Sequence, residues 1–140
     1  MGTFRLLAAY LITAVTFLAV DLLWLGFLAR DFYRRHLGPF LADEVSWIPA
    51  LLFYLLFPIG ILVFAVRPAL ERSSGRQAFL RGALFGGLAY ATYELTNLAT
   101  LAGWPPGVAA VDIGWGALLT GTAGLVGYLA LRRMEESRAP

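Results

Sequence analysis

Three acidic residues, Asp21, Glu94 and Asp112, stand inside long apolar runs of this chain. A carboxylate in hydrocarbon is costly, so intramembrane acids mark proton, ion or ligand sites. Around Glu94 the spacing adds Tyr90, Tyr93 and Asn97, three or four residues apart, which puts most of the set on one helix face. Lipid cannot satisfy a carboxylate and a carboxamide, so that face turns toward other helices. It reads either as an interhelical hydrogen-bond network that fixes packing or as a polar pocket for a proton, a cation or a ligand headgroup. The strings Val20-Asp21-Leu22-Leu23-Trp24 and Val111-Asp112-Ile113-Gly114-Trp115 share a pattern on runs of opposite direction. Counted inward from Arg30, Trp24 lies ~9 Å and Asp21 ~13 Å deep; from Pro106, Asp112 lies ~9 Å and Trp115 ~13 Å deep. Each aspartate is level with the other run's tryptophan, and an indole N–H suits a carboxylate. The crossed pairs Asp21–Trp115 and Trp24–Asp112 are therefore expected. A competing reading has Asp112 as the N-cap of its helix, at the interface with no buried charge.

The elements that position these residues are apolar runs. Of 140 residues, 59% are hydrophobic and 14% charged, a composition above the apolar share of soluble domains. The chain reads as a single integral membrane domain over 1–140, with spans near 4–28, 48–66, 79–101 and 108–131. Each is long enough to cross a core of ~30 Å at ~1.5 Å per residue. The expected fold is all-α, a four-transmembrane-helix up-down bundle. Ala29–Trp47 should carry a short interfacial helix, with Asp31 and Arg35 as an i, i+4 pair, broken at Gly38-Pro39. Ser46 is the expected cap of the second span, and Pro58 should kink it near Tyr54. Trp47 and Trp104 are natural anchors at the outer interface. Gly82-x-x-x-Gly86 and the row Gly116, Thr120, Gly124 suit close helix packing, within the chain or in a homo-oligomer seam.

Composition also excludes chemistries. Cysteine is absent, so disulfides and thiol nucleophiles are out. Every basic residue is arginine, which removes a Schiff-base lysine, and His36 is the lone histidine. No metal site and no cofactor are expected. The net charge of +2 is no nucleic-acid signature, because the arginines flank the spans. Arg5, Arg67, Arg72, Arg76, Arg81, Arg132, Arg133 and Arg138 gather on one side, and Arg30, Arg34 and Arg35 on the other. That asymmetry places both termini in the cytoplasm. Arg34, Arg35 and His36 read as contacts to lipid headgroups, or as counter-ions of the acids.

The strings VDLLWLGFLARDFYRRHLG, LLFYLLFPIGILVFAVRPAL, AYATYELTNLATLAGWP and VDIGWGALLTG resemble a bacterial family of small four-span membrane proteins, domain of unknown function 2177. The resemblance covers nearly the whole chain, most specifically in ATYELTNLATL and VDxxWG. It implies four spans and an inner-membrane location, and it transfers no catalytic residues. Many members carry Asp where this chain has Glu94, an exchange that argues against a rigid metal site there. Some relatives are encoded near enzymes that modify unsaturated acyl chains, which points to lipid.

The leading expectation is an outward-facing intramembrane pocket with Asp21, Glu94, Asn97 and Asp112 as polar groups and Trp24, Tyr90, Tyr93 and Trp115 as walls. It would bind or transport a small amphipathic molecule, a lipid headgroup or a cation. Four spans are few for a monomeric carrier, so transport would imply a homo-oligomer, a dimer. The alternative is a non-catalytic accessory subunit that partners a lipid-modifying enzyme. An enzyme with a carboxylate pair as acid and base ranks last, since the chain offers no nucleophile set.

Overall fold

The computed structural model describes residues 2–139, and they are helical almost throughout. Helix α1, Thr3–Leu23, runs into a π-helical turn at Trp24–Leu28. Helix α2, Arg30–Leu37, follows at once and ends in a 3-10 turn at Gly38–Phe40. The expected break at Gly38-Pro39 is therefore present. The expected Asp31–Arg35 ion pair is not; both side chains are exposed, where such a pair contributes little.

Helix α3, Trp47–Ile61, begins after Ser46. Ser46 has the extended backbone of a cap, but its side chain makes no capping bond. The helix continues through Pro58 to Ile61 and then widens into a π-helical turn, Leu62–Val66, that leads to α4, Arg67–Glu71. Pro58 thus stays inside the helix, and the first departure from regular α-helix is the π-helical turn that begins four residues after it. Helix α5, Gly75–Thr100, is capped by the Ser74 hydroxyl, which accepts from the Gln77 amide. Helix α6, Pro106–Glu136, starts with proline in its first turn, where no N–H is needed.

Three stretches are long and apolar enough to cross a membrane: Thr3–Leu28, Trp47–Glu71 and Pro106–Glu136, with mean hydropathies of 2.2, 2.4 and 1.3. The fourth expected span, 79–101, lies within α5 but is not among them, because Arg81, Glu94 and the polar residues around it dilute its hydropathy. Large apolar side chains cover the outside, Phe27 at 81% and Ile48 at 76% exposure. A soluble domain would bury such groups, whereas lipid solvates them.

The tightest seam joins α5 and α6, which run antiparallel. A Cβ placed on Gly82 would lie 2.6 Å from the Thr120 carbonyl oxygen, and one on Gly86 would strike Gly116 and Thr120. The small residues therefore serve packing within the chain. Helix α1 lies antiparallel to both α6 and α3. Phe17, fully buried, fills the space between α1 and α3 with its ring 5.8 Å from that of Phe53 and 5.1 Å from that of Phe57. At one end of this assembly Arg5 pairs with Glu135. Asp21, Glu94 and Asp112 lie toward the other end.

Candidate functional site

Helix α1 delivers Asp21 into the protein interior, where its side chain is 3% exposed. Two donors from two other helices meet it. The Tyr54 hydroxyl of α3 donates to Oδ2 at 2.6 Å, and the Trp115 indole N–H of α6 donates to Oδ1 at 3.1 Å. The expected Asp21–Trp115 pair is present, as equal depth on antiparallel helices requires.

Its mirror image is altered. Trp24 begins the π-helical turn, and its ring stacks on that of Trp115 with centroids 4.4 Å apart and planes 9° from parallel. From that position its N–H donates not to Asp112 but to the Tyr33 hydroxyl at 3.1 Å, and Tyr33 donates onward to Asp112 Oδ1 at 2.8 Å. Trp24 and Asp112 are thus joined through Tyr33 of α2 rather than directly. Burial holds the pKa of the Tyr33 phenol above its ordinary value, helped by Asp112, so Tyr33 acts as a neutral O–H donor. Asp112 lies in the second turn of α6, whose N-cap is Pro105, and this overturns the reading of Asp112 as an N-cap.

Glu94 is 1% exposed on α5 and accepts from the Trp104 indole N–H at 2.7 Å. Trp104 was expected at the outer interface, yet it is only 8% exposed. The cause is the turn before it. Gly103 takes φ +77°, a conformation open to glycine, and this folds the indole back over the end of α5. Trp47 remains 67% exposed.

A cavity of about 560 Å³ opens beside these residues, lined from all four long helices. Asp21, Tyr90, Tyr93, Asp112 and Trp115 line it as the sequence suggested, joined by Tyr54, Phe53 and Phe57 of α3. Trp24 is not part of the lining; it backs the wall by stacking on Trp115. Glu94 and Asn97 do not reach the cavity: the first is sealed under Trp104, and the second lies one turn further along α5. One clue to Tyr54 was available, since it carries the sole side-chain hydroxyl in an otherwise apolar span. Tyr33 offered none.

No basic residue lines this cavity. Among the described residues the two ion pairs, Arg5–Glu135 and Arg132–Glu136, involve none of the three acids. Arg34, Arg35 and His36 are exposed on α2, so they do not act as counter-ions. The carboxylates are held by neutral O–H and N–H donors, and each oxygen keeps acceptor capacity for a further group. Among the described residues no three of His, Asp and Glu are grouped to hold a metal ion.

No curated protein and no solved structure matches the chain. A family model does, over residues 6–129, from the first turns of α1 nearly to the end of α6. That span includes every residue of the site just described, and its description is "Predicted membrane protein". With most of its length matched, and with helices of the length and hydropathy a membrane demands, the chain belongs to this family, DUF2177, whose function is unknown.

Proposed function

We propose that this protein is a membrane-embedded binding module for a small amphipathic molecule with a cationic head. The observation that carries this is a cavity of about 560 Å³ with two carboxylates, aromatic walls and no basic side chain. Its size suits a small organic ligand. A carboxylate in low dielectric calls for a proton or a cation, and the faces of Trp115, Tyr54 and Tyr90 add cation–π attraction. Phe53 and Phe57 offer apolar contact to a short tail. In this reading α5 is a fourth crossing, since its 26 residues reach ~39 Å and it packs along α6. The arginine-rich end then faces the cytoplasm with both termini, α2 lies at the opposite interface, and the membrane is the bacterial inner membrane. Transport, if it accompanies binding, would use a dimer.

The test is equilibrium dialysis of the purified protein in lipid nanodiscs against hexyltrimethylammonium, with hexanol as the neutral comparison. The cation should bind at a single site, and Asp112→Asn should weaken it at least ten-fold with the helical circular-dichroism signal intact. Mass spectrometry of small molecules co-purifying in native lipid would then identify the natural ligand. Absence of saturable binding would overturn the reading.

One observation favours an accessory subunit instead. Both Asp21 oxygens and one Glu94 oxygen already accept from protein donors, as expected of a network that only holds helices together. On that reading the acid substitutions change stability alone, and the outer surface docks a lipid-modifying enzyme. Retention of such an enzyme by the Asp112→Asn protein, without ligand binding by the parent, would favour it.

A further inference from the structure

A second cavity, of about 500 Å³, lies at the basic end of the molecule and shares no residue with the first. Tyr10, which lines it, is eleven residues from Asp21 along α1, ~17 Å. Its walls are Leu6 and Leu7 of α1 against Val63 and Val66 of the second π-helical turn, and Arg67 stands at its end. Two features create it. Phe17 wedges α1 from α3 midway, and nearer the N-terminus the facing side chains are aliphatic and do not close the gap. Tyr10 fixes the spacing, as its hydroxyl donates to the Leu55 carbonyl at 2.6 Å.

Among the described residues Arg67 is the one basic side chain that lines this groove. Arg5 is paired with Glu135, Arg132 with Glu136, and Arg81 donates to Gln77, while Arg72, Arg76 and Arg133 have no acid partner but lie outside the groove. Arg67 is exposed and, among the described residues, pairs with no acid; Glu71, one turn on, leaves it free. An apolar groove between membrane-crossing helices takes an acyl chain. A free guanidinium at its rim takes a phosphate, whose oxygens match the planar fork. We infer that this groove holds one anionic phospholipid, with its phosphate on Arg67 and an acyl chain along Leu6, Leu7 and Val63. The site is independent of the acidic cavity and of its ligand.

Native mass spectrometry in detergent tests this directly. The protein is titrated with phosphatidylglycerol and with phosphatidylcholine of identical chains. One phosphatidylglycerol should bind about five-fold more tightly, the effect of one basic contact near a membrane surface. Arg67→Gln should reduce that ratio to about one, weakening phosphatidylglycerol more than phosphatidylcholine, whose own phosphate meets the guanidinium beside a neutralising choline. Arg72→Gln, an exposed site outside the groove, should preserve the ratio, and Leu7→Trp, which fills the groove, should weaken both lipids. Excess inorganic phosphate should not displace the bound lipid. Equal binding of both lipids by the parent would overturn the inference. So would a preference that survives Arg67→Gln or is lost equally in Arg72→Gln, which would indicate diffuse surface charge. Displacement by inorganic phosphate would point to a free anion, and a dimer dissociated by Leu7→Trp would make a second copy the occupant; either refutes a phospholipid there.

Discussion

Replacing Asp21 with leucine removes the acceptor that joins α1 to both α3 and α6. Two donors lose their partner at once, the Tyr54 hydroxyl at 2.6 Å and the Trp115 indole at 3.1 Å. In a soluble core each orphaned donor would cost ~1–3 kcal/mol. In a membrane the mean interhelical bond is worth only ~0.6 kcal/mol, because the unfolded helices also find partners. Two such bonds amount to ~1.2 kcal/mol, and leucine packs at a site only 3% exposed, so the net loss is about 1 kcal/mol. Asparagine offers one carboxamide oxygen and turns an N–H₂ toward the second donor, so it keeps one bond of the two. Its expected loss is about half that of leucine, ~0.5 kcal/mol. The assay is reversible unfolding in mixed dodecylmaltoside and dodecyl sulfate, followed by circular dichroism. A cycle of Asp21→Leu, Trp115→Phe and the double variant should give a coupling energy of ~0.6 kcal/mol, because with Trp115 gone the aspartate has less to lose. Leucine as stable as the parent, asparagine less stable than leucine, or strict additivity would each refute the reasoning.

Gly82→Ala should destabilise by about 1–3 kcal/mol in the same unfolding assay, since the added methyl meets a backbone carbonyl that cannot move aside; an unchanged midpoint would show that the α5–α6 seam is looser than described. Trp104→Phe removes the N–H that Glu94 accepts at 2.7 Å, so proton exchange at the buried end of α5, read by hydrogen–deuterium mass spectrometry, should rise about ten-fold; unchanged protection would deny the indole a sealing role. Tyr33→Phe cuts the link from Trp24 to Asp112, and a cysteine introduced at Arg34 should then react faster with a maleimide, by about two- to five-fold; equal rates would show that α2 is held by its apolar contacts alone. For orientation, Gly107→Cys should be labelled by an impermeant reagent on intact cells and Ser74→Cys only after permeabilisation, and the reverse pattern would invert the topology.

Asp21 and Trp115 could be matched from the sequence because depth in a membrane is counted at a fixed rise per residue. Helix-face spacing set Tyr90 and Tyr93 on the polar side of α5, the count put Asp112 level with Trp24, and all five residues line one cavity. Apolar length identified three of the expected spans as helices long and apolar enough to cross a membrane. Glu94 was correctly expected inside, because a carboxylate on a helix face has nowhere else to go, but its partner was not legible. Trp104 reaches it only because Gly103 adopts a left-handed conformation, and the identity of a glycine does not say which conformation it takes.

Sequence alone therefore determined what depends on one dimension: helical class, the length of the apolar helices, the level of Asp21 against Trp115, and the crowding of arginines at one end. Tertiary structure decided what depends on rotation about the helix axes. A π-helical turn carries more residues per turn than the regular helix, so it redirects every side chain that follows, and no hydropathy pattern reports it. The turn lies between Trp24 and α2, so it decides that Tyr33 comes round to bridge Trp24 and Asp112, while Trp24 itself stacks on Trp115. Packing also decided that Tyr54 faces Asp21, while Asn97, on the expected face of α5, stays outside the cavity. Depth follows from counting residues along one helix; the partner at that depth follows from how several helices turn against one another.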